Sequence, residues 1–363
     1  MMARMTGTRA LLLTAVVTTT ALSSACLVHE KPPSPSTGNA GPAHPVVVTN
    51  LPAPRPDAPS GLPLWSTAGV PRPNGKPGNL TVLDWAGFKA AVTYTFDDAN
   101  ASQIAHYPEL RALGVRMTFY LITGKPEASD PVWAAVVRDG HEIGNHSKTH
   151  PHTGTAADLD AATAFLRERL GVTPWTMAAP YGDPSYRPLA MSRFLFNRSV
   201  GGGVIRPNDG TDPFTLPCFV PPRDAPPDEF DGAVEAARSA GGWAIVLLHG
   251  FTGGTDGAFQ STRIEDFTTA VAHARAHDDV WIDSLVNVGA YWMGQKLLTA
   301  AAPVTRAGRT TWSWTLPPHF PTHRYLRVKV DGGTLSQLDR PLVWDPHGYY
   351  EVALDAGSLT VAP

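Results

Sequence analysis

Cysteine is nearly absent: the 363 residues hold two, Cys26 and Cys218. Cys26 falls at the end of what reads as a removable leader, so the mature chain has no pair to join and its fold cannot lean on disulfides. An excess of basic residues is missing too. Lys and Arg total 29 against 32 Asp and Glu, a formal net charge of −3, which leaves no electrostatic footprint for nucleic acid. No apolar run reaches the roughly 20 residues that a membrane-spanning helix needs.

Proline and glycine, in contrast, are plentiful at 35 and 33 residues, and the prolines crowd the N-terminal region. Residues 1–26 read as an export signal. Arg4 and Arg9 form its basic start, Ala10 to Val17 its apolar core, and Leu22-Ser23-Ser24-Ala25 a small-residue cleavage region. Cys26 then stands where a bacterial lipoprotein carries its lipid, although Ser23 occupies a position usually held by Leu. The expectation is an exported protein, secreted or anchored to the outside of the cell membrane through a lipid on Cys26. Residues 27–78 read as a Pro/Gly/Ser-rich linker with too little apolar surface to offset the entropy of ordering.

A hydrophobic content of 43% can build a sizeable core. From Leu80 onward, β-prone and helical stretches alternate. Ala90-Ala91-Val92-Thr93-Tyr94, Val115 to Leu121, Glu142-Ile143-Gly144, Trp175 to Ala179, Trp243 to Leu248 and Val280-Trp281-Ile282 read as strands. Helical stretches fall around Ile104 to Leu113, Val132 to Arg138, Asp158 to Leu170, and from Thr262 and Glu265, which have capping-box spacing, to His277. This alternation predicts an α/β fold with a parallel sheet, open or closed into a barrel. Chemistry in such folds gathers at the carboxyl ends of the strands. Beyond residue 298 the helical signal stops, and short strands separated by Gly and Pro predict a small β module. Trp312, Trp314 and Trp344 read as core residues of that module rather than as stacking surfaces for sugar rings.

Asp97 and Asp98 directly follow the first strand. Two adjacent carboxylates repel unless positive charge lies beside them, and a metal ion would supply it. Of the three His-x-x-x-His pairs, His273 and His277 read as surface residues of a helix, and His319 and His323 as loop residues. Only His146 and His150 follow a strand. Two imidazoles and one carboxylate leave positions open for water and substrate on a zinc-like ion. His152 reads as a supporting or surface residue, and His249 ends another strand.

Thr95-Phe96-Asp97-Asp98, Asn145-His146-Ser147-Lys148-Thr149-His150-Pro151, Ala179-Pro180-Tyr181-Gly182 and Leu247-Leu248-His249 together resemble, in order and spacing, the motifs of the polysaccharide deacetylases. These enzymes carry the NodB homology domain of carbohydrate esterase family 4. The resemblance covers roughly residues 80–295 and implies a distorted (β/α) barrel, so the expected catalytic domain is 79–297, followed by the β module at 298–363. It implies metal-dependent removal of acetyl groups from a polysaccharide or oligosaccharide, with Asp97 as catalytic base and His249 as general acid. Asp98, His146 and His150 match the metal ligands, with zinc first and cobalt, nickel or manganese as alternatives. Tyr181 matches the residue whose backbone N–H holds the oxyanion, and Leu247 the residue lining the acetyl pocket.

The sequence departs from the family pattern twice. The family's Arg before the Pro-Tyr pair, partner of the base, is replaced by Met177-Ala178-Ala179, leaving Arg206 or Arg223 as substitutes. The Asp that tunes the general acid has only Asp224 as a candidate. The favoured reading is an exported, monomeric deacetylase acting on an N-acetylglucosamine-containing glycan. The alternatives are an O-acetyl esterase acting on xylan or another glycan, and a non-catalytic glycan-binding surface protein.

Overall fold

The computed structural model describes residues 60–363, so the readings of 1–26 as a leader and of 27–59 as linker lie outside the described residues. A short strand, β1 (Thr81–Val82), precedes the main sheet. The main sheet contains β2 (Ala90–Phe96), β3 (Thr118–Leu121), β4 (Glu142–Asn145), β5 (Thr176–Ala178), β6 (Phe196–Arg198), β7 (Trp243–Leu248) and β8 (Val280–Ile282). Every pairing among them is parallel, in the order β6-β5-β4-β3-β2-β7. β8 pairs with Ala90–Val92 of β2, while β3 pairs with Thr95 and Phe96, so these two strands share one side of β2 end to end. The curled sheet is the distorted (β/α) barrel anticipated from the motifs. All residues of β2 and β7 are buried, which is why these strands are continuously β-prone rather than alternating.

Parallel neighbours need crossovers, and helices supply most of them. These are α1 (Ala101–Ala105), α2 (Tyr107–Ala112), α3 (Val132–Arg138), α4 (Ala156–Leu170), α5 (Tyr186–Ala190), α6 (Pro227–Ala240), α7 (Ile264–Ala276) and α8 (Leu285–Ala300). The helix expected over Ile104 to Leu113 is interrupted at His106, where Pro108 restarts it in the first turn of α2. The capping box expected from Thr262 does not form. The Thr262 hydroxyl donates to Ala225 O at 3.1 Å, and α7 begins behind Arg263 with no side-chain cap.

One core lies between the sheet and its outer helices, where Phe96 stacks on Phe119 at 5.1 Å and meets the edge of Phe267 at 5.6 Å. A second runs from Trp85, Trp243 and Trp292 into the C-terminal module without a break, reaching Leu326, Val352 and Leu359. The module contains β9 (Val304–Arg306), β10 (Arg309–Ser313), β11 (Tyr325–Lys329), β12 (Thr334–Gln337), β13 (Arg340–Pro341), β14 (Trp344–Asp345), β15 (Tyr349–Ala353) and β16 (Ser358–Ala362). They form two antiparallel sheets, and β1 joins the first through Thr81 opposite Lys329. Trp312 is buried, and the indole N–H groups of Trp314 and Trp344 donate to Leu354 O and Val70 O. These contacts suit the packing role read from the sequence.

The described part of the stretch expected to be linker, residues 60–78, is held against the module. Arg327 of β11 is completely buried under the Tyr349 ring, 4.2 Å from its centroid, and pairs with Glu351 at 3.4 Å. Its remaining N–H groups donate to Leu62 O, Pro63 O and Ala86 O. Composition made these residues look unstructured; a buried guanidinium that needs carbonyl partners orders them. Replacing Arg327 with Ala should therefore lower the unfolding free energy by about 3 kcal/mol, measured by urea denaturation. A loss within error of zero would show that the segment and Arg327 do not depend on each other.

Candidate active site

The register of the sheet brings the acid pair and His249 to one level. Phe96 lies opposite Leu248, and the Asp97 N–H donates to Leu248 O at 2.9 Å, so Asp97 and His249 leave adjacent strands together. The carbonyl of His249 is held by Asn100 Nδ2 at 2.7 Å and Gln103 Nε2 at 2.8 Å. Successive side chains alternate faces along a strand, so Leu247 shares a face with His249 and is buried one pleat below it.

His146 follows Asn145, the last residue of β4, and Asn145 organises the turn after it. Its Nδ2 donates to Leu159 O and Thr163 Oγ1, while its Oδ1 accepts from Ser147 N at 2.7 Å. Ser147 Oγ in turn accepts from His150 N at 2.9 Å, and Asp158 at the head of α4 accepts from Lys148 N and Thr149 Oγ1. Asp98, Ser147, His150 and Tyr181 all have positive φ, between 55° and 77°. For side chains other than glycine this conformation costs of order 1–3 kcal/mol each, and it persists only where surrounding contacts impose it.

Three side chains converge as a result. His146 Nε2 lies 3.4 Å from Asp98 Oδ1, and His150 Nε2 lies 3.7 Å from the same oxygen. One donor atom from each residue falls within 4.8 Å of the other two. Ligands on a tetrahedral ion with bonds of about 2.0–2.1 Å stand roughly 3.3 Å apart, so the donors fit a divalent metal. The chemistry of the set agrees. His146 Nδ1 donates to Ala178 O at 2.9 Å, which turns the Nε2 lone pair toward the acids. Asp98 Oδ1 is buried with no hydrogen-bond donor among the described residues, as expected of an oxygen reserved for a cation.

Electrostatics follows the same arrangement. Burial pushes the Asp98 carboxyl up, but the adjacent His146 imidazole, helped by His249 and His150, holds it well below the usual range. Burial pulls His146 down, and Asp97 and Asp98 overcome it to leave that imidazole above its ordinary value. Burial and the neighbouring His146 push His150 down to about 4, leaving a neutral imidazole suited to ligation. His249 is also lowered, by burial, with Asp97 and Asp98 opposing.

Asp97 is paired, and by a residue the sequence did not single out. Arg198, at the end of β6, is fully buried and donates through Nη2 to both carboxylate oxygens of Asp97. Neither candidate considered for this role is seen to pair with Asp97: the Arg206 backbone N–H donates to Asp209 Oδ2, and Arg223 Nη1 donates to Ser261 Oγ. Arg198 lies directly opposite Ala178 in the β5–β6 pair. The guanidinium missing before Pro180 therefore enters from the next strand at the same level. The only sequence signal was an apolar run, Phe194-Leu195-Phe196, closing on a polar pair.

Asp224 is not hydrogen-bonded to His249; its N–H donates to Ser261 O. His249 Nδ1 is buried without a partner among the described residues, and the ring packs edge-on against the exposed Phe259 at 5.2 Å. Tyr181 is 57% exposed and sits beside His150 at 4.5 Å, with His152 stacked on it at 3.7 Å. His152 is thus outside the triad. His273 and His277 pair with Asp231 and Glu235 on α6, and His319 meets Ser192 O, all away from the acids.

Residues 87–195 match the family model described as polysaccharide deacetylase. Over that stretch the chain is similar to the polysaccharide deacetylases. The match includes Asp97, Asp98, His146, His150 and Tyr181 and ends before Arg198, Leu247 and His249. Among solved structures, a putative polysaccharide deacetylase from Mycobacterium smegmatis is 20% identical, covering 66% of this chain and 99% of its own, with a TM-score of 0.44. A probable polysaccharide deacetylase from Pseudomonas aeruginosa PAO1 is 14% identical, covering 58% and 94%, with a TM-score of 0.45. A family 4 acetyl xylan esterase from Clostridium thermocellum, in complex with a cobalt ion, is 18% identical, covering 55% and 89%, with a TM-score of 0.39.

The cluster of Asp98, His146 and His150 should bind one equivalent of zinc or cobalt per chain, read by elemental analysis after dialysis. His146→Ala should weaken that binding at least about 10-fold. Unchanged stoichiometry and affinity in this variant would remove the triad from consideration.

Proposed function

We propose that this protein is an exported, metal-dependent deacetylase that removes acetyl groups from an N-acetylated glycan. One observation carries the reading: Asp97 and His249 leave neighbouring strands at one level beside the Asp98, His146 and His150 cluster. A base, an acid and a cation site thus share one strand edge.

Asp98, His146 and His150 would hold the ion, zinc being the first choice and cobalt, nickel or manganese the alternatives. A divalent ion there supplies Lewis acidity, polarising the acetyl carbonyl and acidifying water. Asp97 Oδ2, 3.5 Å from His146 Nε2, accepts the proton of the attacking water. Arg198 fixes both oxygens of that carboxylate, so the base reaches the reaction in one orientation. The Tyr181 backbone N–H donates to the oxygen on which charge develops. Leu247 bounds the space for the acetyl methyl group. The departing amine is a poor anion, so a protonated His249 delivers a proton to its nitrogen. Burial lowers the pKa of His249 and makes its protonated form a readier donor.

The test is acetate release from chitooligosaccharide, peptidoglycan and acetylxylan, before and after chelation. Release from an N-acetylated substrate that chelation abolishes and zinc or cobalt restores is the expected result. Glycan binding with no acetate from any substrate or metal would favour the non-catalytic alternative.

Two variants add detail. His249→Ala should slow amide hydrolysis by roughly 10²–10⁴-fold, and activated acetyl esters much less, because an alkoxide leaves without help. Equal losses on both substrates would exclude its role as acid. Arg198→Lys keeps a cation but loses the planar fork, and kcat should fall by about 10²-fold with metal content unchanged. Full activity in that variant would mean that Asp97 needs no such orientation.

A further inference from the structure

A second polar cavity lies at the amino-terminal end of β3 and β4, the opposite end of the sheet from the acid pair. It has a volume of about 150 Å³, and its walls come from four parts of the chain: Ser60 to Leu62, Arg116 ahead of β3, the β8–α8 junction, and the start of β11. Arg116, Asp283, Asn287 and Arg324 line it, with Trp281 and Tyr325.

The charges around this cavity do not balance. Asp283 is spoken for several times over: it accepts from Arg116 Nε and Nη2, Trp281 Nε1, Ser284 N and Asn287 Nδ2. That pairing neutralises Arg116. Arg324 has no carboxylate partner among the described residues. Its Nη1 donates to the neutral Asn287 Oδ1 at 2.7 Å, and its buried Nε has no acceptor. Glu142, a nearby acid, is sealed by Thr118, Thr176 and the Val286 N–H, and burial pushes its carboxyl toward the neutral form; Asp355, which also acts on Arg324, is exposed, does not line the cavity and accepts from the His323 N–H. Two guanidiniums and one carboxylate leave one uncompensated positive charge on the cavity wall. A half-buried guanidinium with an idle N–H is costly unless an acceptor completes it.

The geometry points to a binding site for a small oxyanion, a carboxylate or phosphate, seated against Arg324 at the seam between barrel, α8 and C-terminal module. A planar or tetrahedral oxyanion matches the guanidinium fork. It would join four segments that are separate in sequence, so its occupancy should register as stability of the whole chain. The site is separate from the deacetylase chemistry and does not depend on it.

The experiment is thermal unfolding of the full chain in acetate, phosphate or sulfate against chloride at equal ionic strength. A saturable rise in Tm of about 2–4 °C is expected from at least one oxyanion. The rise should vanish in Arg324→Gln and persist in His146→Ala, which excludes binding at the catalytic end. Acetate alone acting would name a carboxylate ligand; phosphate or sulfate alone, an inorganic one. No rise beyond chloride, or a rise that survives Arg324→Gln, would overturn the proposal. Should Arg324→Gln fail to fold, selenate soaked into crystals of the unaltered protein decides, since anomalous density at Arg324 is required.

Discussion

Two carboxylates adjacent in sequence cannot both be left charged at the edge of a dry core, and this site gives each its own counter-charge. Asp97 is held by the guanidinium of Arg198, and Asp98 faces the imidazoles of His146 and His150. The division gives neighbouring acids different chemistry. One has its oxygens occupied by a fixed cation and keeps a set orientation; the other leaves a buried oxygen free for a metal. The rest of the site follows from keeping these partners in place. Asn145 and Asp158 hold the histidine turn, Ala178 fixes the tautomer of His146, and the β2–β7 register brings His249 alongside Asp97.

The convergence of Asp98, His146 and His150 was legible because its signals are local. Asp98 and His146 each end an apolar run, and three residues separate His146 from His150, a distance one turn can close. The alternation of strands and helices similarly gave the curled parallel sheet and its β-rich companion. Arg198 was not legible. It closes a strand of three residues whose place is fixed by β5 alongside, and nothing near it in sequence announces that Ala178 will be its neighbour. Searching for the missing cation near the motif suggested Arg206 and Arg223, but proximity in a sheet depends on pairing rather than on separation along the chain.

The same blindness affected residues 60–78. Their composition lacks periodicity and apolar surface, so in isolation nothing orders them. Their order comes from outside, from Arg327 and Tyr349 nearly three hundred residues later. The Thr262 cap failed for a related reason: its hydroxyl had a better acceptor in Ala225 than its own helix provided. Local rules hold only until a distant group offers a stronger bond.

The short strand β1 and the segment before it belong to the C-terminal module's sheet, while the barrel lies between them in the chain. The polypeptide thus closes on itself, its early and late parts sharing one sheet around everything in between. A fragment trimmed to begin at residue 79 would lose the carbonyls of Leu62 and Pro63 from Arg327, leaving buried guanidinium N–H groups without those acceptors far from where the cut was made. Insertions in the loops of the barrel would leave that closure intact, which makes them the gentler place to alter the chain.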